Sequence, residues 1–258
     1  MSENADALQS PTLPLPPPRN FFQRFIGVII SPVETFQDIA RKPDFLMPMI
    51  VFILISYATA FFTIPKIDWE AVTAQQVEAM KAKNPNMAQS DIDRMTRITQ
   101  TIGKVFGWFG PILGIIMWLI LAGVLFLAFK LFGGQQTFKQ ALSTVLYSWV
   151  PMVLYGIVLA IIIAARPGNW DPTHIATIVK SNPAFLVNMK EHAALYSLLS
   201  AIDIFTIWTL ILLIIGFAIC SKVSRAKAAT IIISLWAIVI LAKAAIAALG
   251  AARMKASS

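Results

Sequence analysis

The sequence has one cysteine, two histidines and few charges, and each shortage removes a class of protein. Cys220 has no second cysteine to join, so an intramolecular disulfide scaffold is excluded; its place at the end of an apolar run reads as a buried, inert thiol. His174 and His192 stand 18 positions apart with few carboxylates nearby, which fits no zinc-ligand spacing, and no metal site is assigned. There is no GxSxG elbow, no HExxH, no Walker loop and no gathering of acids in an apolar run, while Ser221 and Ser234 lack a basic partner. Catalysis is therefore not expected, and no catalytic or cofactor-binding residue is assigned. No apolar core precedes residue 20, so the start does not read as a signal peptide.

Charged residues make up 13% of the 258, against roughly 25% in soluble domains, and the mean hydropathy is +0.72. The apolar residues are bunched. Stretches at 45–64, 105–129 and 141–165 carry no charge, while 201–220 and 229–249 carry one each. A bilayer core of ~30 Å takes about 20 apolar residues as a helix, so five spans are predicted. The expected fold is an all-α polytopic membrane protein, with five transmembrane helices behind an N-terminal interfacial amphipathic helix pair. The membrane domain runs over 45–252, with a short tail at 253–258.

Residues 1–19 hold five prolines, which block helix and sheet, and read as a disordered tail. From Asn20, Phe22, Phe25, Ile26, Ile29 and Ile30 follow helical spacing, with Gln23, Arg24 and Gly27 opposite. Ser31-Pro32-Val33-Glu34 reads as a capping box with proline at the first helical position; it starts a second short helix through Phe36 and Ile39. The pair is expected either to lie in the membrane interface with its cations at headgroup level or to pack on the spans as a cap.

Loop 65–104 is expected to be a short helical excursion starting near Ser90. Gly133-Gly134 breaks the chain after span two, and Thr137-Phe138-Lys139-Gln140 restarts it as a capping box, giving an antiparallel hairpin. Residues 221–228 force a second hairpin. Gly103, Gly107, Gly110 and Gly114 around Pro111, and Ala237, Ala244, Ala248 and Ala252 in span five, predict close helix contacts. Two ionisable side chains fall inside spans, Asp203 and Lys243. Each either snorkels to the interface, pairs with the other across the hairpin, or serves a transport site.

The formal charge of +8 is spread over every loop without a basic stripe, which speaks against nucleic acid and for the lipid bilayer with its anionic headgroups as partner. With the N-terminus inside, the inner loops carry nine cations in 45 positions and the outer segments 11 in 84, which favours a cytoplasmic N-terminus and an outside C-terminus.

Ile30-Ser31-Pro32-Val33-Glu34-Thr35-Phe36, the Gly133-Gly134 turn with Thr137-Phe138, and Tyr147-Ser148-Trp149-Val150-Pro151, in this order before and within five spans, resemble the Yip domain family of Ypt-interacting-protein-like membrane proteins over roughly 20–250. The resemblance implies an integral membrane protein whose eukaryotic relatives bind Rab-type GTPases in vesicle trafficking. The chain lacks their Asp-Leu-x-Gly-Pro type motif, which counts against GTPase binding and places it with the prokaryotic branch, in the plasma (inner) membrane. Pro32, Glu34, Phe36, Gly133, Gly134, Tyr147, Pro151, Asp203 and Lys243 are the candidate structural or functional residues. The expected role is a non-enzymatic membrane scaffold that holds membrane-protein partners or its own copies; a permease, or a subunit of one, is the alternative.

Overall fold

The computed structural model describes residues 17–172, 175–189 and 191–256. Most of the Pro-rich tail, His174 and the last two residues lie outside them. Among the described residues every regular element is a helix; a single parallel bridge joins Ile67 to Trp170.

Two short helices come first, α1 (Phe21–Ile30) and α2 (Pro32–Arg41). The first span is α3 (Leu46–Thr63), continued by a 3-10 turn, and is followed by α4 (Trp69–Lys83) and α5 (Gln89–Leu131). Span three is α6 (Phe138–Ser148) plus α7 (Val150–Ala165). A single turn, α8 (Ile175–Ile178), and α9 (Ala193–Ala201) lead to α10 (Ile204–Ser221) and α11 (Arg225–Ala256). Among these, five helices are long and apolar enough to cross a membrane, at 46–66, 89–131, 138–165, 204–221 and 225–252. Only 17 to 44% of each apolar window is buried within the protein, so most of that surface faces outward. Water would not tolerate such continuous apolar exposure; lipid requires it.

Local chemistry explains most boundaries. Asn20 caps α1 by a reciprocal pair of bonds with Gln23 (3.0 and 2.9 Å). Gly133 at φ +85° ends α5, and Gly134 N–H donates to Phe129 O at 2.7 Å, where any Cβ would press on that carbonyl. The Thr137–Gln140 box restarts the chain as expected (Thr137 N to Gln140 Oε1, 2.8 Å).

Three expectations are corrected, and span three carries a break ahead of Pro151 within one membrane-crossing stretch. Loop 65–104 is a helical hairpin, and α5 runs unbroken through Pro111 for 43 residues, ~65 Å at 1.5 Å each, so it extends well beyond one face. Span three is divided at Trp149: Pro151 cannot donate to the Tyr147 carbonyl, and Trp149 N–H turns to Val145 O and Leu146 O, both at 3.0 Å. Ser148 Oγ beside it is buried without a hydrogen-bond partner. The start of span four, at Ala201, belongs to the separate helix α9, which lies along α11. Ser31 makes no side-chain cap; its hydroxyl and the Glu34 carboxylate both go to the Arg19 guanidinium, from a segment read as tail.

The core gathers around α10, which touches α2, α6, α7 and α11, while α3 packs on α5 and α7. Phe129 and Phe217 stack at 4.7 Å, and Phe52 meets Trp118 edge-on at 6.0 Å. α11 is peripheral: Ala244 is buried under α9, but Ala248 and Ala252 are exposed, so the alanine stripe is only partly a contact. α2 reaches α10 at Gly216, where an added Cβ would stand 2.5 Å from Thr144 Cγ2 and 2.9 Å from the Phe36 ring. Gly216→Val should therefore lose about 1–3 kcal/mol and unseat α2. A lower thermal midpoint in detergent, with new protease cleavage over 31–43, is the expected result; an unchanged midpoint would show that the contact is dispensable.

Candidate functional site at the N-terminal helix pair

α1 is amphipathic, but inside out. Phe22 and Ile30 are 70 and 75% exposed, with Ile26 also open, whereas Arg24, Gly27 and Val28 are buried. Of the two expectations, the pair packs on the spans as a cap, and the cation of α1 is not at headgroup level: against an apolar medium a charge lowers its energy by turning inward to a partner.

That partner is Asp38 on α2. Arg24 Nη2 stands 2.8 Å from Asp38 Oδ2, and Arg24 Nε donates to the same oxygen at 2.8 Å; both side chains are 3% exposed. Arg41 Nη2 donates to Asp38 Oδ1 at 3.1 Å and Arg19 N–H to Oδ2 at 3.2 Å, so the carboxylate is saturated. The Arg19 guanidinium stitches the connection from outside, donating to Thr35 Oγ1 (2.7 Å), Ser31 Oγ (3.3 Å) and Glu34 Oε2 (2.8 Å). Gly27 lets α1 cross α2 beside Thr35.

The pair is inserted into the end of the bundle. The Phe21 ring lies 6.3 Å from Tyr147 and the Phe25 ring 6.4 Å from Phe52, while Gln140 Nε2 donates to Ala40 O at 2.8 Å. α2, unlike α1, turns Glu34, Gln37 and Arg41 outward. The hairpin turns meet at the same end: Gln135 N–H donates to Ser221 O (3.0 Å) and Lys227 Nζ to Phe132 O (3.0 Å). Residues 17–44, 130–140 and 221–228 there carry nine cations and three acids; loops 65–104 and 166–203 with the terminal 250–258 carry 11 and eight. The end that holds the helix pair is the more positive one.

The sequence candidates divide between the two ends. Pro32, Glu34, Phe36 and Tyr147 are drawn together around the pair, with the Gly133-Gly134 turn at the same end and Pro151 just past the break that follows Tyr147. Asp203 and Lys243 are not part of this group or of each other. Asp203 caps α10, accepting from Phe205 N–H (2.8 Å) and Thr206 N–H (3.3 Å) and from the Ser181 hydroxyl, while Lys243 is exposed on α11. Among the described residues no Asp203–Lys243 ion pair forms, and no group of three or more His, Cys, Asp or Glu gathers as a metal site.

Sequence reasoning missed Arg19, Arg24 and Asp38. The available signal was a cation and an acid 14 positions apart on either side of a tight turn, which an antiparallel hairpin brings together.

Removing Asp38 leaves a buried guanidinium: Asp38→Ala should cost about 3–5 kcal/mol, and Arg24→Met with Asp38→Leu should recover most of it. Thermal midpoints of the single and double variants measure this. At the other end, Asp203→Ala should cost about 1 kcal/mol and Lys243→Met nothing measurable; equal losses from both would restore the paired reading.

The family model described as the Yip1 domain matches residues 26–246, from the middle of α1 into α11. Membrane protein YknW of Bacillus subtilis (strain 168) is 28% identical over 203 residues, which cover 77% of this chain and 79% of the relative. No solved structure matches the chain. With five membrane-crossing helices and the Yip1 match running through all of them, this multi-pass membrane protein belongs to the Yip1 domain family.

Proposed function

We propose that this protein is a non-enzymatic organiser of the plasma (inner) membrane, with its N-terminus in the cytoplasm and its C-terminus outside. The observation that carries the reading is the inverted α1, whose apolar side is turned out while its charge is locked inward. A ten-residue helix, ~15 Å long, held against one end of a bundle occupies one leaflet only. α2 beside it keeps a polar outer face for headgroups. The pair thus acts as a wedge in the cytoplasmic leaflet, and the surplus of cations at that end draws anionic lipid to it, at ~1 kcal/mol for each Lys or Arg near the surface. The same surplus supports the orientation. The Asp-Leu-x-Gly-Pro type motif of GTPase-binding relatives is not found in the sequence, which supports lipid as the partner of this end.

Reconstitution in phosphatidylglycerol-containing liposomes tests the reading. The wild-type chain should shift vesicles to smaller diameters by electron microscopy. Phe22→Ser with Ile26→Ser, which leaves the Arg24–Asp38 pair intact, should lose the effect, as should deletion of 20–42. Equal diameters for all three would overturn the wedge, and a protein-dependent solute flux would replace it with a permease. A cysteine added near the C-terminus should react with an impermeant maleimide in intact cells, and one near the N-terminus only after lysis.

A further inference from the structure

At the end of the protein remote from the helix pair, α3 and α5 part beside Trp170 to leave an open groove that continues toward α7, and we infer that it is a binding site for an acyl chain of a phospholipid. The cavity is about 340 Å³, and a second of about 100 Å³ adjoins it through the shared residues Ser56, Thr59 and Trp118. Together they fall in the size range of small-molecule sites.

The glycines show that the space is built in. On α5, Gly103 and Gly107 are contact residues, pressed by Trp69 and Ile64. Gly110, two positions of the same series further along with Gly114, has nothing within 4 Å of where a Cβ would stand, and Gly114 touches only Trp118 at 4.0 Å. Gly156 of α7, lining the second cavity, is equally open. These glycines widen the opening and bring no helix closer.

Three features name the occupant. The loop after α7 is strapped over one end: Trp170 Nε1 donates to Thr63 O at 2.9 Å, Trp170 N–H to Lys66 O at 2.8 Å, and Lys66 Nζ to the carbonyls of Ile163, Ala164 and Arg166 at 2.8–3.1 Å. The groove is otherwise open along its side, which in a membrane is the side of the hydrocarbon. The length fits: from Gly107 to Trp118, whose ring forms the floor against Phe52, α5 rises ~16 Å, about half the ~30 Å core and so the depth of one leaflet. Of the hydroxyls in the walls, those of Thr59 and Thr63 already donate to Ser56 O and Thr59 O within α3, which, among the described residues, leaves Ser56 as the hydroxyl without a bond there and the walls otherwise suited to a chain that offers no hydrogen bonds. Toward the strapped end, Lys104, one turn before Gly107, and Arg166, at the end of α7, are exposed, and these are the cations the proposal assigns to the phosphate of the same lipid.

The test uses phosphatidylglycerol carrying a diazirine on one acyl chain, reconstituted with the full-length protein and photolysed. Adducts should concentrate on Ser56–Thr63 and Gly107–Trp118. Gly110→Leu with Gly114→Leu, which fills open space, should cut them at least fivefold, while Gly123→Leu, equally unobstructed but outside the cavity, should not. Lys104→Glu with Arg166→Glu should lower labelling severalfold. An even spread of adducts over all spans, or a pattern unchanged by filling, would overturn the proposal. So would crosslinks to a second copy abolished by the filled variant, which would make the groove a self-interface. Native mass spectrometry of the delipidated wild type is independent of any variant's folding: one retained phospholipid supports the site and none overturns it.

Discussion

A charge that cannot reach water must be answered inside the protein, and at the N-terminal end that answer is Asp38. Its two oxygens take the guanidinium of Arg24, that of Arg41 and the backbone N–H of Arg19. With Arg24 satisfied inward, the outer side of α1 carries Phe22, Ile26, Ile29 and Ile30 and no charge, with Gln23 as its exposed polar side chain at the capped end. Without the carboxylate, Arg24 would have to swing out and drag α1 toward the headgroups. The Phe21–Tyr147 and Phe25–Phe52 contacts that seat the pair would go with it. A single ion pair thus fixes which way Arg24 turns and the apolar surface that α1 offers outward.

The two ends of the bundle are built on different chemistry. At one, hydrogen bonds from α6 to α2, from Gln135 after the Gly133-Gly134 turn to the end of α10, and from Lys227 of α11 to the end of α5 close a cation-rich platform. At the other, Trp170 and Lys66 tie the loop after α7 across the end of α3 and cap the last carbonyls of α7, as a cation at a helix C-terminus does. In a Yip1 domain protein that acts on its membrane, the first end would meet anionic headgroups and the second would hold a lipid against the spans.

Much of the architecture was legible because it depends on near neighbours. Spans follow from runs of uncharged residues, the α5–α6 turn from a glycine able to adopt positive φ, and the start of α6 from the Thr137–Gln140 exchange, all within a few positions. The site was read less well. Glu34 and Ser31 do carry an interaction, but with Arg19 across space and not as a box within α2. Asp203 reads as an intramembrane charge only if span four is continuous; the break at Ile202 turns it into a cap.

Composition and periodicity by themselves determined that this chain crosses a membrane with helices, about where those helices lie, and that two short amphipathic helices precede them. They do so because transfer of apolar side chains into oil and backbone hydrogen bonding within a helix are local quantities. Tertiary structure alone decided which face of α1 looks inward, which α5 glycines touch a neighbour and which leave room, and which carboxylates meet which cations. Those outcomes depend on the partner each group finds across the bundle and on the medium outside it, and neither is written within one turn of the residue concerned.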